Sequence, residues 1–273
     1  VAERIDDLLA RLDRALPGRV AGFYVVGSVC LGAFREGRSD IDFVAVIDGG
    51  LDPLELRRLR GVHVGRWAAA VAADAVLRRR WPLVCNGSYL RQEDLARSPL
   101  EVRALAGHVA GRFSAAPAGG FDVNPVTWHV LAKHGITVRG PAPDRLNIRI
   151  DPAELRAWTR GNLDGYWRDW VTRARRRSVS GRLRALPRRF AASGVLGVSR
   201  LHCTLATGEV IDKEAAGEYA LATFAPEWRV VIEDALGFWR GAEPQTGWFR
   251  RHPMARTRQA AEFVAHVIDA RPG

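Results

Sequence analysis

Apolar residues at Ile5, Leu8, Leu9, Leu12 and Leu16 fall on one helical face, and Pro17-Gly18 stops the pattern, so residues 2–16 read as an amphipathic helix. The period then changes. VAGFYVV (20–26) and DIDFVAVI (40–47) are β-branched, aromatic strand sequences separated by the glycine-rich stretch GSVCLGAFREGRS (27–39). Residues 51–80 return to a helical pattern that ends in Arg78-Arg79-Arg80, cations suited to a helix C-terminus. PLVCNGSYLR (82–91) predicts a third strand. In 124–135, Asn124 is placed as N-cap, Pro125 in the first turn and Gly135 as the C′ stop, and ITVRG (136–140) follows as a short strand. Pro141-Ala142-Pro143 marks the boundary. Beyond it strand patterns vanish, and five helical segments run from DPAELRAW to AHVIDARPG. The pattern predicts an α/β domain over 1–150 and an all-helical domain over 151–273.

At 273 residues, 47% hydrophobic and 26% charged, the chain is long and apolar enough for such cores and unlike a disordered or fibrous sequence. No stretch supplies the roughly 18 uninterrupted apolar residues of a membrane span. Glu3, Arg4, Asp6 and Asp7 occupy the region where an export leader turns apolar, so the expectation is a cytoplasmic protein with no membrane partner. Cys30, Cys85 and Cys203 show no CxxC spacing and read as buried thiols, and the dispersed histidines do not suggest a metal site.

The net charge of +11 invites a nucleic-acid reading, but it is spread evenly. Residues 1–150 carry 21 basic against 16 acidic side chains, and 151–273 carry 20 against 14. Neither half is a basic tail, and no aromatic-interleaved RNA motif accompanies the arginines, so nucleic acid is not the expected partner.

The informative segment joins Gly27-Ser28 to Asp40-Ile41-Asp42. On a strand Asp40 and Asp42 point to one face, where two close carboxylates are unfavourable unless a cation sits between them. Oxygen-only ligands suit magnesium, which binds through one or two carboxylates plus the phosphates of a substrate. Gly27 lets the backbone approach a phosphate while the Ser28 hydroxyl and nearby N–H groups donate to it. The same residues also fit a plain turn beside an exposed edge strand. The order of apolar strand, Gly-Ser turn and carboxylate pair favours the nucleotide site.

GSVCLGAFREGRSDIDFVAVI resembles the signature of the nucleotidyltransferase superfamily. GVLGVSRLHCTLATGEVIDKEAAGEYAL (194–221), PEWRVVIEDALGFW (226–239) and NPVTWHVLAKHGITVRGP (124–141) resemble its streptomycin/spectinomycin (aminoglycoside) adenylyltransferase branch. The resemblance implies an α+β fold, a polymerase-beta-like mixed sheet with helices followed by an all-α bundle. It further implies ATP as co-substrate, Mg2+ held by Asp40 and Asp42, and transfer of AMP to a hydroxyl of a small acceptor such as streptomycin or spectinomycin by a monomer. Carried over by position, Ser28, Ser39, Asp40 and Asp42 would hold the magnesium and triphosphate. Arg200 and Lys213 would reach the phosphates from the helical domain, and Trp239 falls near the nucleotide. Lys213 is one of two lysines among 41 basic residues, which agrees with a requirement for a compact charge there. Without the resemblance, Arg200 and Lys213 fit surface ion pairs equally well.

Two departures stand out. The family's general base is a glutamate on the strand matching PLVCNGSYLR, and an ungapped match through Glu93-Asp94-Leu95 places Asn86 at that position, where a neutral amide cannot accept a proton. This leaves three readings: a weaker base at Asp40 or Asp42, a nucleotide-binding chain without activity, or an acceptor that needs no base. Secondly, Arg173, Arg175, Arg176, Arg177, Arg182, Arg184, Arg188 and Arg189 occupy the region where the family meets a polycationic drug with carboxylates and aromatics. Either this stretch is a solvated linker or the acceptor is neutral or acidic. Asp164, Asp169, Trp158, Trp167 and Trp170 remain as acceptor-gripping candidates, although a Trp-rich helix face also suits a core.

Overall fold

The computed structural model describes residues 1–73, 83–115, 122–175, 188–243 and 247–272, which divide into two compact units, Val1–Asp151 and Pro152–Gly273. The N-terminal unit contains α1 (Ala2–Ala15), β1 (Val20–Val26), β2 (Ile41–Ile47), α2 (Pro53–Ala70), β3 (Cys85–Leu90), β4 (Ala106–Val109), β5 (Arg112–Ala115), α3 (Pro125–His134) and β6 (Ile136–Arg139). Its six strands form one mixed sheet in the order β5-β4-β3-β2-β1-β6, in which β2 and β3 are parallel and the other neighbours antiparallel. The parallel pair requires a crossover, and α2 lies within it. Asp52 caps α2 by accepting from the Leu54 and Glu55 amides at 2.7 and 2.8 Å, and the Glu55 carboxylate in turn accepts from the Asp52 N–H.

Alternation along the strands divides the sheet into two faces. Phe23, Val25, Ile41, Phe43, Ala45, Ile47 and Tyr89 face a core completed by Leu8 and Leu12 of α1 and Leu59 of α2. Phe23 stacks on Phe43 with centroids 4.9 Å apart. Inside this core His63 lies 2.6 Å from the Tyr89 hydroxyl and stacks on His108, whose Nδ1 is 2.9 Å from the Cys85 carbonyl. Burial and the neighbouring His108 hold the His63 pKa well below the usual imidazole value. By the same alternation Asp42, Val44, Asn86 and Ser88 belong to the opposite face.

The C-terminal unit comprises α4 (Pro152–Asn162), a π-helical turn (Leu163–Trp167), α5 (Arg168–Arg175), α6 (Arg188–Thr207), α7 (Lys213–Thr223), α8 (Arg229–Arg240), α9 (Gly247–Arg251) and α10 (Pro253–Asp269). Its core gathers Val195, Leu196 and Val198 of α6, Ile232 and Leu236 of α8, and Phe263, Val264 and Val267 of α10. Asp234 lies between Arg188 and Arg256, with Nε–Oδ distances of 3.1 and 3.0 Å. Burial raises the Asp234 pKa even against these two guanidinium groups. Desolvation therefore outweighs the attraction in this pair of contacts.

Several details differ from the sequence reading. The strand carrying the carboxylates begins at Ile41, so Asp40 stands immediately ahead of it. The β4–β5 hairpin was not anticipated: its strands have four residues each, and its turn uses Ala110 and Gly111 at φ +48° and +84° where Asn-Gly would have announced it. Gly135 ends α3 with φ −54° and ψ 129°, leading directly into β6 instead of forming a left-handed stop. The arginines at 78–80 and Arg176, Arg177, Arg182 and Arg184 lie outside the described residues.

Candidate active site

Val26 pairs with Asp42 across β1 and β2, so the turn after β1 begins beside the carboxylates that open β2. Gly27 has φ +69°, and a Cβ there would lie well inside 3.0 Å of Asp42 Oδ2. Glycine is thus required twice, for the left-handed backbone and for room beside the carboxylate. The loop is closed by its own backbone. Ala33 N–H donates to the Ser28 carbonyl at 2.9 Å, and Ser39 N–H to the Arg35 carbonyl at 2.8 Å. The buried Ser39 hydroxyl accepts from Arg35 N–H at 3.0 Å, so its oxygen braces the loop.

Asp42 and Asn86 are register partners on the parallel strands β2 and β3. Asn86 Nδ2 donates to Asp40 Oδ2 at 3.3 Å, while its Oδ1 accepts from Ala110 N–H at 3.0 Å. These bonds orient the amide, with its donor toward the carboxylate pair and its acceptor toward the tip of the β4–β5 hairpin. The structure therefore brings Gly27, Asp40, Asp42 and Asn86 together, with Ser28 and Ser39 in the same loop. The donor set consists of carboxylate oxygens, the chemistry magnesium takes. Among the described residues no group of three or more His, Cys, Asp or Glu side chains is arranged to hold a metal.

One acidic residue was missed. Asp122, just ahead of the Asn124 cap of α3, has its Oδ2 buried without a hydrogen-bond partner. Burial, with the charges of Asp42 and Asp40 adding to it, pushes its carboxyl up to about 7. Nothing in the local sequence signals this, because the other two carboxylates stand far back along the chain.

The remaining candidates belong to the C-terminal unit. Asp212 caps α7 by accepting from the Glu214 and Ala215 amides at 2.6 and 3.1 Å. The Lys213 ammonium at the start of that helix sits 4.4 Å from the centroid of the Trp239 ring, a cation–π contact. Trp239 is buried. Arg200 Nε donates to the Ile211 carbonyl at 2.8 Å, fastening α6 to the connection before α7.

The acceptor candidates fare differently. Trp167 and Trp170 are core residues packed on the Cβ-free positions of α6. A Cβ at Gly194 would meet the Trp170 ring at 2.5 Å, and one at Gly197 would strike Trp167. Asp164 is engaged by Arg271 at 2.8 and 2.9 Å and by Arg168 at 3.3 Å. Trp158 is half-buried and Asp169 exposed.

Residues 5–94 match the family described as nucleotidyltransferase domain, and residues 158–268 match aminoglycoside adenylyltransferase, C-terminal domain. No curated protein matches the chain. Among solved structures, the chain is similar to the spectinomycin adenyltransferase AAD(9) from Enterococcus faecialis, a structure with ATP and spectinomycin. The TM-score is 0.67 at 13% identity, over 97% of this chain and 99% of that one. At that identity the likeness establishes the fold. Among the described residues no helix is long and apolar enough to cross a membrane. Two family matches, one in each unit, and the shared fold make the chain an aminoglycoside adenylyltransferase-like nucleotidyltransferase.

Proposed function

We propose that the chain is an Mg-ATP-dependent adenylyltransferase that moves AMP to a hydroxyl of a small-molecule acceptor, with streptomycin and spectinomycin as the first acceptors to test. The observation that carries this reading is the carboxylate pair Asp40 and Asp42 beside Gly27, where the absence of a Cβ leaves space against Asp42. Asp40 and Asp42 would hold the magnesium, and Ser28, Ser39 and the loop amides would orient the triphosphate. Arg200, Lys213 and Trp239 are proposed as further nucleotide-binding residues. When bound, magnesium offsets negative charge on the phosphates and favours departure of pyrophosphate. The acceptor oxygen attacks the α-phosphorus in line with the leaving pyrophosphate, so the protein's work is chiefly to position and to balance charge.

A second reading rests on Asn86. Its amide makes two hydrogen bonds and cannot accept a proton, which favours a nucleotide-binding homologue with weak or no transfer activity. Pyrophosphate release from Mg-ATP over a panel of streptomycin, spectinomycin and other aminocyclitols separates the two, run in parallel on Asn86→Glu. Turnover by the parent supports the transferase. Turnover by Asn86→Glu alone supports the second reading. Silence from both, together with thermal stabilisation by Mg-ATP, removes these drugs as acceptors. A ligand at about 100 times its dissociation constant adds about 2.7 kcal/mol, so binding is easily seen.

A further inference from the structure

The C-terminal unit holds a cavity of about 410 Å³ lined by Arg160, Arg168, Ile268, Asp269, Arg271 and Pro272. That volume suits a small molecule, and half of the lining residues are arginines. Two of them are fixed in place. Arg271 grips Asp164 of the π-helical turn through both terminal nitrogens at 2.8 and 2.9 Å. It also donates to the Ile268 carbonyl at 3.0 Å, covering one of the open carbonyls at the end of α10 that would otherwise repel an anion. Arg168 divides its guanidinium between Asp164 and Asp269, each at 3.3 Å. These contacts tie the π-helical turn and α5 to the end of α10, and a structural role accounts for them. It does not account for Arg160, which is half-buried on α4 and among the described residues makes no hydrogen bond or ion pair. A guanidinium cannot shed its charge, so three permanent positive charges face the two carboxylates Asp164 and Asp269.

We propose that this cavity binds a phosphate monoester of a small, hydroxyl-bearing molecule. Arg160 supplies the uncommitted guanidinium, whose planar fork of donors matches two phosphate oxygens. Arg168 and Arg271, already braced by Asp164, add positive charge that needs no rearrangement when the anion arrives. Asp269 repels a bare anion but accepts from a hydroxyl, which favours an ester over the free ion. Ile268 and Pro272 give the carbon skeleton an apolar wall. The site lies wholly within the helical unit and uses none of Asp40, Asp42 or Asn86, so it stands independently of the adenylyltransferase reading.

The test titrates the full chain calorimetrically with ribose 5-phosphate and, separately, with inorganic phosphate, in EDTA and at fixed ionic strength. The parent is expected to bind ribose 5-phosphate with a Kd under about 1 mM and more tightly than inorganic phosphate. Arg160→Gln is expected to weaken the ester about 10- to 100-fold, the loss of one charge-assisted contact, and Arg160→Lys to recover part of it. Asp269→Ala is expected to remove the preference for the ester. Two controls stay within about threefold of the parent: Arg258→Gln, which alters an exposed arginine of α10 outside the cavity, and Asp40→Ala, which alters the N-terminal unit. Thermal unfolding confirms that each variant is folded. No binding by the parent overturns the proposal, as do equal affinities for the ester and the free ion. Folded Arg160→Gln and Arg160→Lys variants that both bind like the parent overturn it too. An Arg258→Gln loss as large as that of Arg160→Gln reduces the effect to diffuse charge, and a loss in Asp40→Ala moves the ester to the other unit; either result overturns it.

Discussion

Replacing Gly27 with alanine imposes two separable penalties. The first is conformational, because an L-residue at φ +69° costs about 1–2 kcal/mol. For a unit of this size that corresponds to a drop in Tm of about 2–8 °C. The second is a collision between the new methyl group and Asp42 Oδ2, a separation that real Cβ atoms do not show. β2 is paired on both sides, so Asp42 must answer by turning its carboxylate away. Disturbing the support of a metal ligand costs about 10- to 100-fold in metal affinity. Gly32→Ala is the control: it lies in the same loop at φ +68°, and nothing stands within 4 Å of its new Cβ. The two variants should lose similar Tm, whereas manganese titrated in the presence of a non-hydrolysable ATP analogue should bind about 10- to 100-fold more weakly to Gly27→Ala alone. Equal manganese affinities in the two variants would refute the reasoning that Gly27 exists to leave room for Asp42.

Other perturbations test the cores. Asp234→Ala leaves the buried Arg256 and half-buried Arg188 guanidinium groups without their carboxylate and should cost about 3–5 kcal/mol in urea unfolding; a cost under about 1 kcal/mol would mean that solvent reaches the site. Gly197→Ala drives a methyl into the Trp167 ring and should cost about 1–3 kcal/mol, with a change in tryptophan emission, while an unchanged spectrum would show that the indole is free to shift. His63 keeps its proton off in the folded state, so below pH 6.5 the unfolded chain binds a proton that the fold refuses, and stability falls by up to about 1.4 kcal/mol per pH unit. His63→Phe should therefore show a shallower loss as pH falls below 6.5, offset by about 1–3 kcal/mol lower stability near neutral pH because the Tyr89 hydroxyl loses its partner; parallel curves would refute the assignment.

The parts of the fold that could be read from the sequence were those specified by neighbours along the chain. The β1-loop-β2 unit showed itself through apolar strands around a Gly-Ser turn and an Asp-x-Asp opening, and α3 through Asn124 and Pro125. The β4–β5 hairpin escaped because Ala110 adopts positive φ without being one of the residue types that advertise it. Trp167 and Trp170 were ambiguous for a similar reason: what makes them core residues is the pair Gly194 and Gly197 on another helix, at matching three-residue spacing. Asp122 escaped more completely, since its unusual state arises from enclosure and from carboxylates that only the folded sheet brings near.

The Asn86 amide has a consequence for how this lineage can change. Installing an acid at that position is not a single gain, because the substitution discards the donor to Asp40 and sets a like charge against it. The longer side chain of Asn86→Glu also abandons the geometry by which the amide oxygen tethers the Ala110 amide, loosening the hairpin tip. The new carboxylate of Asn86→Glu would stand beside that of Asp40 and in register with Asp42, so a bound cation should relieve part of the repulsion. An acid at position 86 is thus gained only at a cost in stability, set by the two hydrogen bonds that the amide gives up.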